Sequence, residues 1–184
     1  MRYFVALFIA LGLVFLLIFV LFHDGSKSKL GPTHKALISY ASTDADVRLT
    51  IDGPVNADQD HQQARVTVNR DNVTFERISG YNGNVVDTQI FNNSENAYAV
   101  FLAALSHAGF TLGSNDPSLS DERGFCARGD RYVFELRQDD KDIERYWASS
   151  CGNPKTYLGS VVLSLQLFKA QVPGYTNLTQ NLQL

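Results

Sequence analysis

The chain is short of cysteine, of positive charge and of recognisable catalytic motifs. Two cysteines in 184 residues, with four scattered histidines (His23, His34, His61 and His107), cannot assemble the usual set of about four nitrogen and sulfur ligands of a structural zinc site. A net charge of −3, with Lys and Arg dispersed, excludes the basic stripe of a nucleic-acid binder. There is only one long apolar run, which excludes a polytopic transporter. No G-x-S-x-G, H-E-x-x-H, phosphate-binding loop or G-x-G-x-x-G is present, so no cofactor or resident metal is expected. Repeats and low-complexity tracts are absent too. The 12 Phe, 8 Tyr and many β-branched residues argue against a disordered chain.

The mean hydropathy of −0.12 averages two unlike regions. Of the first 22 residues, 20 are apolar. The rest is roughly 39% apolar, low to ordinary for a soluble domain. Phe4 to Phe22 carries no charge, and as a helix its 19 residues span roughly 28 Å, close to a bilayer core. Residues 1–3 then read as a cytoplasmic stub and 4–22 as a transmembrane anchor in contact with the lipid bilayer. A cleaved signal peptide is the competing reading, but its apolar core is shorter, and no small-residue cleavage site follows Phe22. Residues 23–45 read as a flexible tether, because Gly25-Ser26-Lys27-Ser28-Lys29 is solvated and Gly31-Pro32 stops a helix.

Residues 46–175 read as one α+β domain: an antiparallel sheet of about six strands covered by two helices. Val47, Leu49 and Ile51 alternate with polar neighbours, as do Ala64, Val66 and Val68. Val73 to Ile78 and Val85 to Phe91 continue the meander. Asn82-Gly83 between them signals a type I′ hairpin turn. Tyr98, Phe101, Leu102 and Leu105 form a helical stripe that Asn93 or Ser94 can cap and Gly109 can close. Tyr132, Phe134 and Leu136, then Ile143, Arg145 and Trp147, form a second hairpin about the acidic link Asp139-Asp140-Lys141-Asp142. Leu158 to Val172 fits both a strand and a helical face; its length and the following Pro173-Gly174 favour a helix. Residues 176–184 read as a loose tail.

Cys126 and Cys151 flank the second hairpin at nearly equal distance from its turn. Folding the hairpin brings them together, so a disulfide is expected. Such a bond belongs to an oxidising compartment, which orients the chain with its amino terminus inside and its domain outside the cytoplasm.

Other features read more plainly. Asp139, Asp140 and Asp142 lack the glycine and final acid of a calcium loop and read as a solvated turn. Arg128-Gly129-Asp130 is an adhesion-like triplet, weighed against an ordinary turn glycine. Asn72-Val73-Thr74, Asn92-Asn93-Ser94 and Asn177-Leu178-Thr179 fit the glycosylation pattern, which matters only in a eukaryotic secretory pathway. Tyr132, Tyr146, Trp147 and Tyr157 cluster near the second hairpin and are the candidate interaction surface if exposed.

Three phrases occur together: Phe101-Leu102-Ala103-Ala104-Leu105 running to Ala108-Gly109-Phe110; Arg131 to Leu136 with Ile143 to Trp147 and Ser150-Cys151-Gly152; and Leu167 to Tyr175. With the amino-terminal run they resemble uncharacterised single-pass surface proteins of Saccharibacteria-type bacteria. The resemblance implies an envelope location and carries over no catalytic residue. Type IV pilin-like proteins are similar in plan, but the processing site and its Glu are missing here. The sheet-then-helix order is similar to that of small emfourin-type protease inhibitors. The expectation is a membrane-anchored extracytoplasmic binding protein of the cell envelope, with a protein partner and no catalysis of its own. The alternative is an extracytoplasmic hydrolase built on His61 or His107 with a distant Asp and Ser.

Overall fold

Alternating apolar positions place six strands in one antiparallel sheet: β1 (Asp46–Asp52), β2 (Gln62–Val68), β3 (Asn72–Ser79), β4 (Asn84–Asn92), β5 (Arg131–Gln138) and β6 (Lys141–Ser149). Their spatial order is β4-β3-β2-β1-β5-β6. The computed structural model describes residues 35–182 and 184. The stub at 1–3, the anchor at 4–22 and the tether through residue 34 lie outside the described residues. Among the described residues no helix is long and apolar enough to cross a membrane.

The sheet is an α+β architecture with unlike faces. Val47, Leu49 and Ile51 of β1 lie opposite Val68, Val66 and Ala64 of β2, and opposite Leu136, Phe134 and Tyr132 of β5. These side chains share one face, and the helices cover it. The register shift between Arg77 and Ile78 matters here. Ile78, an odd number of residues from Phe75, stays opposite Gln63 of β2 and is buried on the other face of the sheet, while β4 takes up the shift with one extra residue between Val85 and Asp87.

Helix α1 (Glu95–His107) is capped by Ser94, whose Oγ accepts from the Ala97 N–H at 3.3 Å. It closes through Gly109 at φ 78°, with Phe110 N–H donating to Leu105 O and Gly109 N–H to Ser106 O. Residues 158–172 resolve as a helix, α2 (Val161–Gln171), capped by Ser160. Between these helices and the sheet, Phe168 meets Phe101 edge-on at 5.3 Å between ring centroids, and Phe134 stacks on Tyr157 at 4.2 Å.

Three expectations are corrected. First, the domain begins before residue 46. Leu37–Tyr40 forms a 3-10 turn, and Leu37, Tyr40, Ala41 and Ala45 are buried. Their spacing gives one apolar side that docks on α1, where Tyr98 Oη donates to Ala45 O at 3.0 Å. Second, residues 176–184 are not loose. The short helix α3 (Tyr175–Thr179) and the following Leu182 and Leu184 pack against the core, and Tyr175 meets Phe75 edge-on at 5.8 Å. Third, the β3–β4 link is four residues long. Ser79 pairs with Asn84, and the positive φ angles fall on Gly80 and Gly83, both 73°, not on Asn82. Gly80 N–H is held by His61 O at 2.9 Å and Tyr81 N–H by Asp58 Oδ1 at 2.8 Å, which sets the wider loop. The turn with two adjacent positive φ angles is instead Asp139-Asp140, at 52° and 59°.

Candidate binding face and buried ionic centre

The second face of the sheet carries the polar members of the same strands. Across one row, Thr67, Arg48, Glu135 and Arg145 stand side by side on β2, β1, β5 and β6. Across the next, Glu76, Arg65, Thr50, Val133 and Trp147 run from β3 to β6. Opposite charges therefore alternate between neighbouring strands. Arg65 lies 3.4 Å from Glu76, Arg145 3.6 Å from Glu135, and Arg48 4.0 Å from Glu135. Arg137 lies within 4.0 Å of Asp46, Asp140 and Asp142.

Burial against this crowded surface shifts its ionisable groups. Desolvation pushes the Glu135 carboxyl up, offset by Arg48 and Arg145. Desolvation also pushes Asp46 up, against the pull of Arg137. Arg48 is pushed down by burial and by the neighbouring Arg137 guanidinium. Between the two rows lies a groove of about 190 Å³ lined by Arg48, Arg65, Gln63, Glu122, Glu135 and Arg145. It presents guanidinium forks beside carboxylates, a donor and acceptor set suited to a polar or charged partner.

The segment between α1 and β5 folds across one end of this face. Arg145 donates from Nη2 to both carboxylate oxygens of Glu122, at 2.9 and 2.8 Å. Trp147 Nε1 donates to Leu119 O at 2.6 Å, and Phe125 stacks on the indole at 5.2 Å. A cleft of about 300 Å³ between Trp147, Arg145, Thr156 and residues 114–120 adjoins the groove through Arg145.

These contacts correct the expected aromatic surface. Trp147, Tyr146 and Tyr157 are all buried, and only Tyr132 is half-exposed. Trp147 lies under the 114–125 segment. Tyr157 packs on Phe134 and shares a 2.6 Å hydrogen bond with Ser164. Tyr146 bonds Glu144, and burial with that contact pushes its phenol up.

The second feature is an ionic centre at the end of β1. Arg131 and His61 are buried, and Asp52 nearly so. Arg131 Nε donates to Asp52 Oδ2 at 2.9 Å and Nη2 donates to Gly53 O at 2.6 Å. His61 Nε2 lies 2.8 Å from Asp52 Oδ1, and its Nδ1 lies 3.2 Å from Pro54 O. Tyr81 stacks on the imidazole at 3.9 Å. The polar partners of His61 are Asp52, Gln63 and the Pro54 carbonyl. None is a serine, and Tyr81 covers the ring. The centre clamps the β1–β2 link, and the imidazole is fully buried there. His107 is exposed near the end of α1, and its side chain makes no hydrogen bond or ion pair among the described residues.

Cys126 and Cys151 are joined, with Cα atoms 5.7 Å apart. The disulfide explains the glycine of the Arg128-Gly129-Asp130 triplet. A Cβ on Gly129 would stand 2.3 Å from Ser150 Oγ and 2.9 Å from Cys126 Sγ. Ser150 Oγ also accepts from the Asp130 N–H at 3.0 Å, and Tyr132 Oη donates to Asp130 Oδ2 at 3.4 Å. Only Arg128 of the triplet is freely exposed. Asp139 and Asp140 occupy the β5–β6 turn, and among the described residues no group of His, Cys, Asp and Glu could hold a metal ion.

Sequence reasoning singled out the aromatics and missed the arginines. The signal was present, because alternation already places Arg48, Arg65 and Arg145 on the outward positions of apolar strands. The chain matches no protein-family model. It matches none of the curated proteins.

Proposed function

We propose that the protein is a membrane-anchored binding module of the cell envelope, held by residues 4–22 with its amino terminus in the cytoplasm. Its α+β domain faces outward and acts by binding an envelope or surface protein, without catalysis of its own. The observation that carries this reading is the one-sided covering of the sheet. Helices bury the apolar face, while the groove between Arg48, Arg65, Glu135 and Arg145 stays open and ionic. Such a face recognises a partner of alternating charge through paired hydrogen bonds, and its arginines give that recognition direction. The apolar run at 4–22 supports the anchor, and the Cys126–Cys151 bond supports the outward placement.

A photo-cross-linking residue at Thr50, in the groove, should capture a protein partner in intact cells. The same residue at Val100, exposed on α1, should not. Combining Arg48→Glu and Arg65→Glu should abolish the Thr50 adduct. Equal capture from both positions, or survival of the adduct in the double variant, removes the groove as the binding site. For topology, protease added to intact cells should remove the domain, and full protection would place it inside.

A further inference from the structure

The two edges of the sheet are finished differently. On β6 the outer edge is occupied: Thr156 and Tyr157 N–H groups donate to Trp147 O at 2.9 and 2.8 Å, and Trp147 N–H donates to Thr156 Oγ1 at 2.8 Å. On β4 no strand among the described residues pairs with the outer edge. Of the usual guards of a free edge, this nine-residue strand carries no Pro and no Lys and has one bulge, at its amino-terminal end opposite Arg77 and Ile78. Its one charge, Asp87, is turned to Arg77 at 3.9 Å. Val85, Val86 and Ile90 are exposed, Ile90 by 66%.

We propose that β4 pairs with β4 of a second copy of this chain, antiparallel about a two-fold axis normal to the sheet at Thr88. The occupant is argued from the strand's own sequence. An axis normal to the sheet keeps each face on its own side, so residues must face partners two, four or more positions apart, or themselves. With Thr88 opposite Thr88, Asp87 meets Gln89 and Val86 meets Ile90, and the extra residue between Val85 and Asp87 ends the regular register there. Within Val86–Ile90 each apolar residue meets an apolar one and no like charges meet. Moving the axis to Asp87 sets Asp87 against Asp87. Moving it to Gln89 sets Asp87 against Phe91. Only the Thr88 register is self-complementary.

On the open side of the sheet, where Thr74 neighbours Ile90 and Glu76 neighbours Thr88, Val86 and Ile90 of both copies form one apolar cluster. The interface belongs to the small class, below about 1,200 Å² of buried surface, so association depends on concentration. The two-fold keeps both open ionic faces on one side of a joined sheet.

The two native cysteines are bonded to each other, so a single introduced cysteine is the only free thiol. In the full chain in membranes, Thr88→Cys should form a disulfide-linked dimer under mild oxidation, because directly opposed residues lie about 4.5–5.5 Å apart at Cα. Val86→Cys and Ile90→Cys alone place like residues four positions out of register, roughly 13 Å apart along the strand, and should cross-link at least about tenfold less. Co-expressing those two variants should restore a mixed dimer. Ile90→Lys should remove the Thr88→Cys dimer. In the otherwise native chain in detergent, Ile90→Lys should also abolish the concentration-dependent rise in mass. A Thr88→Cys chain that stays monomeric overturns the proposal, as does equal cross-linking at all three positions. A native chain whose mass is constant with concentration overturns it as well.

Discussion

The β6 end and the β4 end of the sheet are built from similar strands yet are organised in opposite ways. At β6, Trp147 lies under residues 114–125, Arg145 clamps Glu122, the 152–157 segment occupies the outer edge, and the disulfide ties the hairpin base. At β4, Val86 and Ile90 are exposed beside an edge that no strand among the described residues pairs. Among the described residues, one end of the sheet is therefore covered and the other edge is bare. The same kind of substitution should have unequal consequences at the two ends.

The largest difference is expected at Trp147. Trp147→Ala removes a buried ring, its stack with Phe125 and the partner of the Leu119 carbonyl, and should cost about 3–5 kcal/mol in denaturant unfolding. Val86→Ala, its counterpart at the exposed end, should fall within about 0.5 kcal/mol. Equal losses would show that the end at β4 is buried by something beyond the described residues.

Next comes the disulfide. It closes a loop of 25 residues' separation around the β5–β6 hairpin. Replacing both cysteines by serine should cost about 2–4 kcal/mol. Hydrogen exchange should quicken at residues 126–151 while β3 and β4 keep their protection. Uniform loosening of the whole sheet would mean that the two ends are coupled more tightly than the contacts imply.

An alkaline limb of smaller size samples both ends. Tyr146 lies on β6, while Tyr175 packs on Phe75 of β3. Burial, aided by Glu144, pushes the Tyr146 phenol up. Burial, aided by Asp130, pushes Tyr175 up to about 12. Each folded value exceeds the unfolded value of 10, so the protonated phenol is the form the fold favours. For Tyr175 that stability is complete below pH 10 and is lost as pH rises through about 12, at most about 3 kcal/mol. Tyr175→Phe should flatten that limb in a pH series of thermal melts. An unchanged limb would assign it to the other phenols that burial pushes up, Tyr98, Tyr132, Tyr146 and Tyr157.

Local patterns made the strands legible. Period-two alternation placed β1, β2 and β5 on their correct faces, and the symmetry of the second hairpin placed the disulfide. What escaped was set by neighbours far apart in sequence. Leu37–Tyr40 is one turn, too short to display a helical period, and its burial depends on Tyr98 of α1. Trp147 faces away from the helices, so its burial depends on residues 114–125, which show no periodicity of their own. The outward arginines were readable one strand at a time. Their pairing required β5 beside β1, since Arg48 meets Glu135 across 87 residues of chain. That adjacency is a fact of topology, which alternation within a strand does not encode.

Ile90 tests the comparison at its smallest expected effect on the isolated fold. Its side chain is 66% exposed, so Ile90→Lys gives up little burial, and lysine's long stem lies along Thr74 on β3. The unfolding free energy at high dilution should not change by more than about 0.5 kcal/mol. At high concentration the native chain should gain stability that the variant does not, because association favours the folded state by mass action. A concentration-independent midpoint for the native chain, equal to that of the variant, would make β4 an edge without a partner. A rise in the native midpoint alone would show that the bare end gains from association what the β6 end already holds within its own chain.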